Sequence, residues 1–330
     1  MTTPVVTPKP ALPPTGRSVR AYFAPVDRVH GSPTLFDPSV NGRFAAGTPP
    51  APWIELGWIE DFARKSTSKF GELITGSPGT TQFQVRETVD ATVSFRFKSW
   101  SKLSMALAAG SQHMNLIVPA AGGTANGSGS KGVTPVNLAT GSTATFLALA
   151  ASDAAGFSAG SLVTVDVDYA AQTGYVGSGV YAAYVTSASA VNSDPDYIRR
   201  VSFNVARVAS VASTGTATGL QLAQPLIAGV PAAAMRVQPI SGFVDREGGS
   251  FFQEWSALFL IDGDQGERIL FHYPRLQSMA GPAESASALA APIDRIALRA
   301  SFRALPVTDA NDGEQVVCFR SFLPSPVTLV

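Results

Sequence analysis

The stretch 82–97, QFQVRETVDATVSFRF, limits the fold more than any other part of this chain. Phe83, Val85, Val89, Ala91, Val93, Phe95 and Phe97 occupy one parity, and Gln84, Arg86, Asp90, Thr92, Ser94 and Arg96 the other. A period of two kept over this length excludes a helix. It predicts one long strand, its apolar side against a core and its polar side toward water or a neighbouring subunit.

The flanks extend the pattern. Ser99 as N-cap and Gly110 as stop bracket a short helix running to Ala109, in which Leu103, Ala106 and Leu107 form an i, i+3, i+4 stripe. A long strand followed by a short amphipathic helix predicts a sheet with a helix laid over one face. Upstream, residues 64–81 form a polar excursion between two strands. It carries Arg64, Lys65 and Lys69, then Phe70, Leu73 and Ile74, then the turn-forming Gly76, Ser77, Pro78 and Gly79. Strand connections usually take a handful of residues, and a long loop with its own apolar side chains is expected to dock on a partner.

The remainder reads as three further parts. Residues 1–52 hold many prolines and little periodicity, which predicts an extended arm without a core of its own. A Gly/Ser/Ala-rich linker at 119–132 opens a region of short strands at 144–150, 162–169, 180–185, 198–208 and 217–222, expected to form a small all-β domain over 118–235. Longer strands then return. Residues 254–261 and 268–273 flank a hairpin turn at 262–266, and 293–305 is expected to pair with 315–322 across Asn311, Asp312 and Gly313.

Composition excludes several function classes. The chain has 330 residues, enough for two domains, and 24 basic against 24 acidic side chains, so bulk attraction to nucleic acid or an anionic membrane is not indicated. Charged residues make up 15%, against about 25% in an average soluble chain, which suits a subunit covered by its own copies and equally a secreted β-protein. Cys318 is the only cysteine and sits in an alternating run, where it reads as a small buried hydrophobe. The proline-broken N-terminus has no apolar h-region, and no run of about 18 apolar residues occurs; neither a signal peptide nor a membrane span is expected, and synthesis in a cytoplasm follows.

No pattern of catalytic or metal-binding residues emerges. Gly127, Gly129 and Gly132 match GxGxxG but lead into Val133, Thr134 and Pro135 instead of a helix, and so read as linker. Asp262, Asp264 and Gly266 resemble the start of a calcium loop without its later ligands, and Asp166 with Asp168 are two carboxylates on one strand face with no general-acid partner. His30, His113 and His272 have no zinc-type spacing, and no GxSxG elbow occurs. The expectation is a protein that is not an enzyme and takes no cofactor or metal.

Wording then adds to pattern. LGWIEDFARKSTSK, a Gly-Pro turn, and QVRETVDATVSFRFKSWSKLSMALAAGSQHMN resemble the tail tube (major tail) proteins of long-tailed bacteriophages, and GERILFHYPRLQ at 266–277 is similar to a second segment of that family. The resemblance spans the two ends of the chain beyond residue 50 and leaves the middle uncovered. It implies a mainly β fold, a tail-tube-type β-sandwich/barrel with one short α-helix, built from 53–117 and 236–330 and interrupted by the inserted all-β domain. It also implies a structural virion protein that assembles in the host cytoplasm, contacts other tail proteins and conducts viral DNA without binding it specifically. Rings would be hexameric, with a trimeric pseudo-sixfold ring as the variant. Under this resemblance Arg64, Lys65, Lys69, Phe70, Leu73 and Ile74 belong to the loop that stacks one ring on the next. Gln84, Arg86, Asp90, Thr92, Ser94 and Arg96 belong to the tube-wall strand, 254–273 joins the same sheet, and both the helix and the insert lie outside the lumen. The alternative is a β-rich surface adhesin or carbohydrate-binding module that binds through 118–235.

Overall fold

A computed structural model describes residues 16–27, 30–41, 49–99, 101–118, 133–166, 197–214, 217–248, 251, 253–263, 266–279, 283–285 and 297–324. The chain is mainly β and divides into two compact units. One comprises Met1–Val26, Gly31–Gly110 and Gln253–Val330, the other Ser111–Phe252 with Asp27–His30. The elements run along the chain as β1 (Gly16–Pro25), α1 (Pro38–Asn41), β2 (Ile54–Thr75), β3 (Thr80–Phe97) and α2 (Lys102–Ala109). Next come β4 (Gln112–Ile117), β5 (Val136–Asn137), β6 (Phe146–Leu149), α3 (Ala151–Ala154), β7 (Leu162–Asp166), β8 (Val205–Thr214), β9 (Ala217–Leu222) and β10 (Arg236–Arg246). The last are β11 (Glu254–Gly263), β12 (Arg268–Ser278), β13 (Ala283–Ser285), β14 (Ala297–Leu305), β15 (Val307–Thr308), β16 (Gln315–Val316) and β17 (Phe319–Leu323).

The first unit is a closed barrel. Its antiparallel sheet runs β14–β3–β2–β1–β11–β12, and β12 pairs back onto β14 through Arg275–Leu305 to Ser278–Phe302, leaving the six strands with no free start or end. β17 extends the remaining edge of β12, and β13 that of β14. The interior is filled by aromatic rings. Phe23, Phe95, Phe259 and Phe302 meet at centroid separations of 5.5 to 6.2 Å, with Trp255 edge-on to Phe23. A barrel of so few strands has room for side chains and none for a channel. Outside β1 and β11 a second layer forms, where Tyr22, Leu258, Leu260 and Leu270 pack with Phe36 and Trp53.

Several expectations are corrected here. Residues 1–52 are not all an arm: Gly16–Pro25 is a barrel strand between β2 and β11, and Ala21, Tyr22, Phe23 and Ala24 are fully buried. A four-residue apolar word suffices for a central strand, and the prolines around it masked that signal; residues 1–15 lie outside those described. The helix starts later than expected, capped by Ser101, because Ser104 returns a hydroxyl to the Ser101 backbone and closes a capping box. Gly110 ends it at φ 59°, the left-handed conformation a C-cap requires. The run 315–322 does not pair with β14, whose two edges are taken by β3 and by β12 with β13; β17 adds to β12, and only β16 folds back, onto β15.

The second unit holds a seven-stranded sheet in the order β4–β10–β7–β8–β9–β6, with β5 also on β10. Its core is aliphatic: Leu147, Leu149, Val163, Val165, Val208, Leu220, Leu222 and Val237 are all buried. Gly219 lets β6 and β9 close up, since a Cβ there would collide with the Leu147 carbonyl. The unit takes in more chain than the expected 118–235, because β4 and β10 pair with each other and β10 pairs with β7. The expected strand 198–208 is half helical, with a single π turn at Arg199–Phe203 before β8. The expected strand at 180–185 and the GxGxxG stretch lie outside the described residues.

Candidate functional site

Residues 64–81, expected to be a loop, are largely strand. β2 and β3 stay paired antiparallel, through three register shifts, from Ile59–Phe97 out to Thr75–Thr80, and only Gly76, Ser77, Pro78 and Gly79 turn. The barrel ends near Ala91, the last buried residue of β3 on this side, so Thr67 to Thr75 and their partners project as a two-stranded ribbon. At about 3.3 Å per residue this ribbon is about 30 Å long.

Both ribbon faces carry exposed apolar side chains. Leu73 lies opposite Phe83, and Gly71 opposite Val85, on one face; Ile74, Phe70 and Val89 lie on the other, opposite Thr81, Arg86 and Ser68. Leu73 is 58% exposed, Ile74 59% and Phe83 62%. An isolated two-stranded ribbon is marginal in water, and this one exposes six large apolar side chains. Phe83, Val85 and Val89 are therefore corrected from core to surface. The signal was present in 65–69, KSTSK, which has no apolar parity: the strand facing that segment had no core to meet.

The expected stacking residues separate. Lys69, Phe70, Leu73 and Ile74 are on the ribbon, Lys69 in an exposed ion pair with Glu87 at 3.3 Å. Lys65 is exposed opposite Thr92, at the ribbon's root. Arg64 turns the other way: its Nε donates to the Tyr273 hydroxyl at 3.0 Å and its guanidinium lies 4.9 Å from the Phe271 ring. It anchors the barrel and is not on the ribbon. Burial pushes the Tyr273 hydroxyl up to about 12, and burial also raises the half-buried Cys318 thiol beside it.

The expected tube-wall residues separate as well. Asp90, Thr92, Ser94 and Arg96 face outward from the barrel wall and the ribbon root, opposite Thr67, Lys65, Ala63 and Glu60. Between Thr88 and Arg86 a bulge inserts Glu87, and beyond it Arg86 and Gln84 lie opposite Phe70 and Glu72, on the other ribbon face. One extra residue exchanges the faces of a strand, so the single polar side predicted for 82–97 becomes two. On the wall itself Arg96, Lys98 and Arg303 are paired. Arg96 bonds Glu60 at 2.6 Å, Lys98 reaches Glu60 at 3.2 Å, and Arg303 of β14 reaches Asp90 at 3.2 Å. The Glu60 carboxyl is held below its ordinary value, first by Lys98 and then by Arg96.

No protein-family model and no curated protein matches this chain.

Asp168 and Asp264 lie outside the described residues, and the other polar residues weighed for chemistry have structural partners. Asp262 accepts from Arg268 Nε at 2.9 Å across its hairpin, and the buried Asp166 faces Arg199 at 3.5 Å in place of water. His113, on β4, hydrogen-bonds through Nε2 to Ser202, while its carbonyl accepts from the Tyr197 hydroxyl at 2.6 Å. His272 is enclosed by Phe36, Trp53 and Phe319, its Nε2 against the Thr34 carbonyl at 3.3 Å, and burial pushes it down to about 4. Among the described residues no group of three or more His, Cys, Asp or Glu side chains is placed to hold a metal, and no helix is long and apolar enough to cross a membrane.

Proposed function

We propose that this chain is a structural subunit of a phage tail tube, assembling into stacked rings around a channel that conducts DNA. The observation that carries the reading is the ribbon: some 30 Å of two-stranded sheet, with exposed apolar side chains on both faces, extending from a closed barrel. Such an element is stable only when covered, and a second copy of the same chain is a partner always at hand. Phe70, Leu73, Ile74, Phe83, Val85 and Val89 supply the apolar contact between rings, with Lys69 and Glu87 at its rim. The channel lies between subunits, because the barrel interior is packed with rings of Phe and Trp.

The outward wall of β3 and β14 suits a surface over which a polyanion slides. Arg96, Lys98 and Arg303 already hold carboxylates, so phosphate gains little by releasing them. In this reading the protein is not catalytic, needs no cofactor, works in the virion tail after assembly in the host cytoplasm, and meets other tail proteins at the tube ends. Six copies per ring is the preferred symmetry, with three as the variant.

Size-exclusion chromatography over a concentration series, with negative-stain microscopy of each fraction, tests the reading. Rings or hollow tubes of uniform diameter are expected. Thr67 and Asp90 are register partners, so joining them through a two-residue Asn-Gly turn removes the ribbon without unpairing the barrel. That variant should stay unstacked with the barrel folded. A parent protein that remains monomeric at every concentration would overturn the proposal.

A further inference from the structure

On the outward wall of the barrel, β3 and β14 place Arg96 opposite Arg299 and Ser94 opposite Ser301. Cross-strand partners share a face and stand side by side, so two adjacent rungs gather two guanidinium groups and two hydroxyls. Like charges directly opposite are unfavourable unless anions separate them. Two arginines of this wall have such anions within the chain: Glu60 and Asp61 at 2.6 and 3.5 Å from Arg96, and Asp90 at 3.2 Å from Arg303. Arg299, directly across from Arg96 on β14, has none among the described residues. It makes no ion pair or side-chain hydrogen bond among the described residues, and neither do the hydroxyls of Ser94 and Ser301. Between these groups lies a groove of about 160 Å³, lined by Asp61, Ser94, Arg96, Arg299 and Ser301 over the backbone of Phe95 and Ala300.

We propose that this groove is a carboxylate-binding site, with Arg299 as its fork and Ser94 and Ser301 as additional donors. A guanidinium pairs with a carboxylate through two parallel hydrogen bonds, and the hydroxyl rung lies alongside to take the remaining lone pairs. Charge selects the ligand class. Among the described residues Arg96, Lys98 and Arg299 face Glu60 and Asp61, which leaves the charge of Arg299 uncompensated. A monoanion closes that balance, whereas a phosphate dianion would bring surplus negative charge beside Asp61. Asp61 holds its place in a bulge between Glu60 and Ala63 at φ 53°, a left-handed conformation Asp adopts more readily than most residues. The site does not depend on whether the subunits stack into a tube.

Arginine footprinting of the full chain with phenylglyoxal, read residue by residue by mass spectrometry, tests the site in any assembly state. Sodium acetate should slow modification of Arg299 severalfold and saturably, while chloride at equal ionic strength should not, and the exposed Arg320 of β17 should react at an unchanged rate. Phosphate above neutral pH should protect less than acetate. The double substitution Ser94→Ala with Ser301→Ala should raise the acetate concentration needed for protection, with Arg299 still present to report. Protection that never saturates, or that appears equally at Arg320, overturns the proposal. The source of the carboxylate is read in the same assay without acetate. Protection of Arg299 that grows with protein concentration assigns it to a side chain of a second copy; acetate protection with no concentration dependence assigns it to another molecule.

Discussion

Two single residues separate anchoring from association. Arg64 donates to the hydroxyl of Tyr273, a side chain 1% exposed, so Arg64→Ala leaves a buried oxygen without its donor. The expected cost is about 1–3 kcal/mol of barrel stability, read as a lower denaturant midpoint with self-association unchanged. His272 supplies the pH dependence. Its ordinary value is near 6.5 and burial brings it to about 4, so the unfolded chain takes up the proton first as pH falls. Stability is then full above about pH 6.5, declines as pH drops toward about 4, and loses nothing further from this group below that. The shift corresponds to about 3 kcal/mol at most. His272→Phe, measured against the parent by denaturant unfolding across this window, should remove that part of the slope; an unchanged slope would show that His272 titrates alike in the folded and unfolded chain. Neither role was legible beforehand. In sequence Arg64 opens one polar run with Lys65 and Lys69, and parity alone does not tell which side of a strand faces a barrel interior. His272 was read as one of three scattered histidines because its enclosure brings together Thr34, Phe36, Trp53 and Phe319, distant in sequence.

At the scale of the element, the β2–β3 ribbon concentrates the functional argument. Replacing Leu73 and Phe83 together with serine removes a cross-strand apolar pair from one face while leaving the ladder and the barrel core untouched. Since both side chains are about 60% exposed, the monomer should lose little stability. Association followed by sedimentation velocity should shift to much higher concentration, and a variant that stacks like the parent would show that the ribbon is not the contact. The strand 82–97 was legible in length and type from its period of two, and Ala91, Val93, Phe95 and Phe97 are buried as that period demands. Its outer half was not. A core-facing parity and a partner-facing parity look alike in sequence, and the bulge at Glu87 that exchanges the faces has no composition signal. The helix was legible from its serine and glycine punctuation to within two residues, because capping is local chemistry.

For the whole molecule, the balance of 24 basic and 24 acidic side chains and the apolar ribbon make a joint statement about assembly. Association driven by buried apolar area weakens on cooling and responds little to salt, whereas association through surface ion pairs is screened. Light scattering should therefore show assembly that strengthens from cold to room temperature and changes little when the salt concentration is raised severalfold. The opposite pattern would transfer the contact to the charged wall.

Local patterns in the chain settle what depends on near neighbours: a mainly β protein, the alternating strands, the 254–261 and 268–273 hairpin, the capped helix and the turn at Asn311, Asp312 and Gly313. Strand period, caps and turns act over a few residues, so they are written in consecutive letters. Tertiary structure decided the rest. β1 enters the barrel from a proline-rich stretch, β12 closes onto β14, β4 and β10 join the second unit, and Arg299 comes to stand opposite Arg96. Each of these is a pairing across many residues, and a pairing register depends on which edge remains free once the other strands have taken theirs.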